Sequence, residues 1–415
     1  MIHWTESGRA CSALWRSERG APVPQWVEIV DDSTTADAAY RMACAGTAML
    51  WRGDFHNARQ LLQATERRAE KPPQRKQRRT PQTELPVATP AQDFHRHRLA
   101  QSQRARMLAM LLLPFEGDYG IALRRAPDVR LACTEAWGPA ANESGIQGAP
   151  AASTDAAGCD GARATASVAS LRELLGITSA HEWRRKGVEI AALGAAPNNR
   201  IYPHYGVFSP VRGEYLALVA SAPLPATQEA EFLAFDIGTG TGVLSALLAR
   251  RGVHRVVATD LDPRALACAH HNLAQLGLSD TVQLLQTDLF PNGRASLVVC
   301  NPPWLPARAG SAIERAVYDE DSRMLLGFLA ALSQHLAPGG EGWLILSDFA
   351  EHLGLRSRAA LLAAVAAAGL QVVGRLQAKP LHPKAGAARD ALHAARAAEV
   401  TSLWRLRSRE VAPTA

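Results

Sequence analysis

The sequence predicts an α/β protein: a doubly wound, mostly parallel sheet of seven strands preceded by a mainly helical N-terminal region. Three observations carry this. From residue 231 onward, short apolar runs alternate with helical stretches, the pattern of parallel strands joined by crossover helices. A glycine-rich turn follows the first of these runs, at the strand end where open α/β sheets bind ligands. Residues 36–64 and 94–113 place apolar side chains at roughly helical spacing instead, among them Tyr40, Ala43, Leu50, Trp51 and Leu61.

The strand series runs in order. Residues 232–236 (FLAFD) end in an acid and lead through glycines into a helix reaching Arg251. Residues 255–260 (RVVATD) form the second strand, after which Asp262 caps and Pro263 starts a helix to about Leu276. Residues 282–286, 296–300, 342–348, 370–377 and 400–407 supply the other five, with helices near 321–336 and 356–368. The N-terminal region spans 1–137, broken by a proline-rich linker at 66–93. A small-residue stretch at 138–167 reads as a flexible linker, 168–230 as a lead-in of turns, short strands and a helix, and 231–410 as the main domain.

Composition narrows the function classes. The chain has 415 residues and a net charge of +6. Residues 67–79 (RRAEKPPQRKQRR) hold seven basic residues and one acid, so this strap accounts for the whole excess. A chain-wide basic footprint for nucleic acid is absent, though the strap could hold phosphates. The six cysteines form no CxxC pair, which argues against a zinc ribbon and fits a reducing, cytoplasmic setting. The N-terminal segment lacks signal-peptide features, and no run is long enough to span a bilayer. No metal site and no membrane partner are expected. GxSxG, HExxH and GxxxxGK[ST] are all missing, which removes serine hydrolase, zinc protease and P-loop readings.

The first chemical motif is Asp236, Ile237, Gly238, Thr239, Gly240, Thr241, Gly242. Its glycines fall as GxGxG, not the GxGxxG of dinucleotide sites, and an acid just before them would repel a pyrophosphate. The motif resembles the DxGxGxG of class I S-adenosylmethionine-dependent methyltransferases, over about residues 200–407. The resemblance implies a Rossmann-like sheet and S-adenosyl-L-methionine as cofactor. It places Asp236, Gly238, Gly240 and Gly242 beneath the methionine part, whose ammonium suits a carboxylate. Asp260 would accept the ribose hydroxyls, Leu261 would flank the adenine, and Asp288 with Leu289 would lie near its amino group.

The second motif is Asn301, Pro302, Pro303, Trp304, at the end of the fourth strand. Two prolines lock an extended turn and leave the Pro302 carbonyl free of local helix. The run is similar to the NPPY motif of methyltransferases that modify planar nitrogen. An amide or aniline-like nitrogen is a weak nucleophile because its lone pair is delocalised. If Asn301 and the Pro302 carbonyl each accept an N–H, they orient that nitrogen for in-line attack, and Trp304 can stack on the planar group. In this resemblance Asn301 also borders the cofactor. With residues 206–214 as lead-in, the nearest subgroup is the release-factor glutamine methyltransferases and related small-domain enzymes; Trp304 replaces their usual tyrosine.

A macromolecular substrate is expected, either a glutamine side chain of a protein such as a translation factor or an exocyclic amine of an RNA or DNA base. A methyltransferase-like scaffold without turnover and a small-molecule enzyme with a helical lid remain open. Among weaker candidates, His204 and Tyr205 could line the substrate pocket, and Glu314, Tyr318 and Asp319 could contact substrate.

Overall fold

The computed structural model describes residues 1–70, 89–140, 165–226, 231–311, 313–380 and 392–409. It divides into two compact units, Met1–Val87 with Arg96–Glu182, and Ala88–His95 with Trp183–Ala415.

The first unit is not mainly helical, as the sequence predicts; it is built on a six-stranded sheet. Strands β1 (Ile2–Glu6), β2 (Arg9–Trp15), β3 (Trp26–Val30), β4 (Thr47–Trp51), β5 (Leu111–Phe115) and β6 (Ser167–Ser170) lie in the order β1-β2-β6-β5-β4-β3. Helices α1 (Ala36–Ala45), α2 (Phe55–Glu70), α3 (Pro90–Leu108), α4 (Arg130–Trp137) and α5 (Leu171–Lys186) connect or follow them. The expected helix at 36–64 is therefore α1, β4 and most of α2. Gly46 stops α1 in a left-handed conformation (φ 83°), and the next residues, TAMLW, form a strand buried almost throughout. A short strand covered on both faces has no alternation, so periodicity does not distinguish it from a buried helix. The same holds for LLLPF of β5, all five residues of which are buried.

Linker boundaries shift as well. Residues 66–70 complete α2, Pro90 opens α3, and Ser167 opens a fully buried strand. Residues 71–88 and 141–164, which include most of the basic strap, lie outside the described residues. The change of unit falls after Glu182 rather than at 167.

The second unit matches the expected alternation closely. A small pair, β7 (Val188–Glu189) and β8 (Arg200–Ile201), and helix α6 (Glu214–Ser221) precede the main sheet. Its strands are β9 (Leu233–Ile237), β10 (Arg255–Asp260), β11 (Val282–Gln286), β12 (Ala295–Cys300), β13 (Leu336–Ser347), β14 (Leu370–Ala378) and β15 (Thr401–Ser408). Their order is β11-β10-β9-β12-β13-β15-β14, and only β15 runs antiparallel to its neighbours. Helices α7 (Val243–Arg250), α8 (Pro263–Gln275), α9 (Arg323–His335), α10 (Phe349–His352), α11 (Arg358–Ala367) and α12 (His393–Ala398) complete it.

Strand residues alternate between two apolar layers. Ala234, Val256 and Val299 face α6, α7 and α8, whereas Phe235, Val257 and Val298 face α9 and α11. Each buried valine or phenylalanine of these layers contributes roughly 1.5–3 kcal/mol, so both faces of the sheet are held. The strand order reverses between β9 and β12, which opens a crevice beyond their carboxyl ends. Register then selects what lines it. Ile237 pairs with Thr259 on one side and Cys300 on the other. The next residues, Gly238, Asp260 and Asn301, therefore leave the three central strands side by side.

Candidate active site

The glycine turn wraps the end of β10. Gly238 and Thr239 donate their backbone N–H groups to the Thr259 carbonyl at 2.9 and 2.8 Å. Gly238, Gly240 and Gly242 all adopt positive φ (73°, 56° and 79°). At Gly242 a Cβ would also meet Ala269 of α8 at 3.1 Å, so glycine there lets helix and turn approach. Gly240 faces open space, with no atom within 4 Å of where a Cβ would stand. Met324 of α9 closes the turn at Gly238.

Asp236 is fully buried beneath this turn. One carboxylate oxygen accepts from the Ser245 N–H (3.1 Å), the Ser245 hydroxyl (2.6 Å) and the Thr239 hydroxyl (2.7 Å). The other, Oδ1, is buried and unpaired. Burial pushes its pKa above the ordinary carboxylate value, against the pull of Ser245 and Thr239. Ser245 and Thr239 escape sequence reading: Ser245 sits inside an apolar helix and signals nothing locally.

Asp260 ends β10 with both oxygens on backbone donors, Oδ2 on the Gly240 N–H and Oδ1 on the Asp262 N–H, each at 3.0 Å. Each oxygen keeps a second lone pair for another donor. Leu261 beside it is 58% exposed, an apolar flank at the crevice edge. The orphan Asp236 oxygen, the open ground at Gly240 and the spare acceptors of Asp260 fit a ligand with a cationic end and a diol, as S-adenosylmethionine has. Burial, partly offset by the Asp262 and Gly240 N–H groups, raises the Asp260 pKa above 3.8. Accepting hydroxyls is best done by the ionised form. Affinity for S-adenosylhomocysteine, measured calorimetrically, should therefore fall on acidification at a pH above that of an ordinary aspartate. Asp260→Asn should lose most of this dependence; an unaltered pH profile in that variant would rule the assignment out.

Asn301 is half-buried at the end of β12, and Pro302 is buried beside it. Its Oδ1 accepts the indole N–H of Trp304 at 2.9 Å. Arg212 lies over the Trp304 ring, 4.7 Å from its centroid, and Arg356 donates to the Trp304 carbonyl at 3.3 Å. Arg212 in turn donates to Glu214 (2.6 Å) and Glu399 (3.0 Å). Trp304 also packs against both apolar layers. Trp304 is thus an anchored ring, held at its face by Arg212 and at its N–H by Asn301. Glu399 is 187 residues from Arg212 in sequence, so no local signal finds it.

The remaining candidates separate. Asp288 accepts from Arg323 at 2.6 Å, in a well-exposed pair. Leu289 has positive φ (65°) and offers its carbonyl to the Thr259 hydroxyl at 2.6 Å, while its side chain packs toward Gly327 of α9. Asp319 is spent on the start of α9, accepting from the N–H groups of Met324 and Leu325. Glu314 accepts from the Gly310 N–H. His204 packs against His271, 5.4 Å between ring centroids, and burial with the Arg184 charge pushes its pKa down to about 4.

Residues 198–363 match the family model of the methyltransferase small domain. The chain is 34% identical over 150 residues to a tRNA1(Val) (adenine(37)-N6)-methyltransferase of Shewanella loihica, covering 34% of this chain and 60% of that protein. It is 38% identical over 110 residues to a release factor glutamine methyltransferase of Cereibacter sphaeroides, 26% of this chain and 36% of that one. A ribosomal protein L11 methyltransferase of Pelotomaculum thermopropionicum is 46% identical over 69 residues, 16% of this chain and 22% of the relative. The chain thus spans 60% or less of the length of each of these relatives. Beside the strand order and the glycine turn, residues 198–363 are thus similar to the methyltransferase small domain.

Proposed function

We propose that this domain is an S-adenosylmethionine-dependent N-methyltransferase acting on a planar nitrogen. The observation that carries it is the shared register of Ile237, Thr259 and Cys300, which puts Gly238, Asp260 and Asn301 at one sheet edge. Asp236, the glycine turn, Asp260 and Leu261 would hold the cofactor, with Asp288 and Leu289 further out along the same edge. When bound, the cofactor supplies an electrophilic methyl on sulfur. Everything else falls to the chain. Asn301 Oδ1 and the Pro302 carbonyl accept the two N–H bonds of the acceptor, orient it, and oppose delocalisation of its lone pair. No side-chain base is needed, since the proton becomes acidic once the nitrogen is alkylated.

The acceptor we favour is a glutamine side-chain amide in a protein, by the lead-in resemblance and the release-factor relative. An exocyclic base amine in RNA is the second reading, which the Shewanella relative's name supports. Among the described residues no helix is long and apolar enough to cross a membrane, and no acid, histidine and cysteine cluster suits a metal ion. We place the activity in the cytoplasm. The test is labelled methyl transfer into macromolecules, with S-adenosylhomocysteine binding measured in parallel. Absence of binding would reject the reading outright.

A further inference from the structure

We infer that Arg212 is a positioning residue of this site: stacked on Trp304 and clamped by two buried carboxylates, it fixes which way the Asn301 amide faces. The inference rests on the N-methyltransferase reading above.

An asparagine amide can turn over about its last side-chain bond, exchanging its oxygen for its NH2 group. Only the oxygen can accept an N–H from an incoming nitrogen. The partner at 2.9 Å decides the matter, because an indole N–H donates and never accepts. Trp304 therefore admits one orientation, with Oδ1 toward the indole and its second lone pair left for another donor. A tyrosine hydroxyl at this position would both donate and accept, and would not impose that choice.

The lock works only if the indole is held. Arg212 supplies a planar cation against its face. The guanidinium is itself fixed, by Glu214 at 2.6 Å and Glu399 at 3.0 Å, whose side chains are 6% and 7% exposed. Glu399 is tied further by the Ser347 hydroxyl at 2.6 Å. Three separate segments, the lead-in before α6, the loop after β12 and the approach to β15, thus converge on one ring. The buried carboxylates leave Arg212 little freedom to move away, since breaking the group would strand charges out of water.

The test uses the full chain carrying 15N-labelled indoles, with the Trp304 signal assigned through Trp304→Phe. Arg212→Lys keeps a charge for Glu214 and Glu399 but removes the planar face; Arg212→Ala removes both. Each should speed solvent exchange of the Trp304 indole N–H by about tenfold, the ratio carried by one net hydrogen bond. Methyl transfer into an extract at saturating S-adenosylmethionine should fall by about tenfold in Arg212→Lys and in Trp304→Phe, with S-adenosylhomocysteine affinity held. The doubly substituted chain should be no slower than either single variant. Unchanged indole exchange in Arg212→Lys overturns the inference, and so does faster exchange with undiminished transfer. If the unaltered chain transfers no methyl at all, the N-methyltransferase reading fails, while indole exchange still decides whether the clamp exists.

Discussion

Asn301→Ala should lower methyl transfer by about a hundredfold while S-adenosylhomocysteine affinity stays within about twofold of the unaltered chain. The separation follows from where the side chain points. Asn301 reaches from β12 to Trp304, whereas the oxygens that fit the cofactor belong to Asp236 and Asp260, on β9 and β10. Removing the amide takes away one of two acceptors for the incoming nitrogen and leaves the glycine turn intact. Asn301→Asp is the informative companion. A carboxylate still accepts from the indole, so the local geometry survives, but it adds a negative charge beside a site already holding two acids, Asp236 and Asp260. Transfer should recover only in part. Equal loss of transfer and of cofactor affinity in Asn301→Ala would show that acceptor and cofactor duties are not divided between these strands.

The second large effect is expected at Asp260. Asp260→Ala should weaken S-adenosylhomocysteine by roughly a hundredfold, about 3 kcal/mol, as expected for losing charge-assisted hydrogen bonds to a diol. Part of this loss is indirect. The Gly240 and Asp262 N–H groups each lose a partner, so the turn loosens as well as the ligand contact. Asp260→Asn retains one oxygen and should fall between the two. Isothermal titration of the three chains checks the order, and equal affinities would remove Asp260 from the cofactor site.

The second unit was legible because local chemistry and global fold agree there. The strands at 255–260 and 282–286 come out at the residues expected from their apolar runs, and Asp262 caps α8 with Pro263 in its first turn. The residues proposed for the cofactor share one register because they follow strand ends directly, where the fold class says ligands bind. The first unit was not legible. β4 and β5 are five-residue strands buried on nearly every side, so the alternation that would mark them is absent, and each adjoins a genuine helix that extends the helical pattern into it. The clamp on Trp304 was also hidden, though its parts lie in plain view. Asn301 and Trp304 are three residues apart, but the direction of the indole N–H is a tertiary fact. Arg212 and Glu214 sit in a lead-in read as turns, short strands and a helix, and Glu399 meets them only through the pairing of β15 with β13.

The most direct measurement is transfer of tritium from labelled S-adenosylmethionine, by the full chain, into a fractionated extract of cells lacking this protein. Label should enter a macromolecule and be absent with Asn301→Ala. Survival under nuclease and loss to protease would establish a protein target and favour the glutamine acceptor; the reverse would establish a nucleic acid and favour a base amine. A chain that binds S-adenosylhomocysteine yet labels no macromolecule in either fraction would contradict a planar-nitrogen transferase acting on protein or nucleic acid.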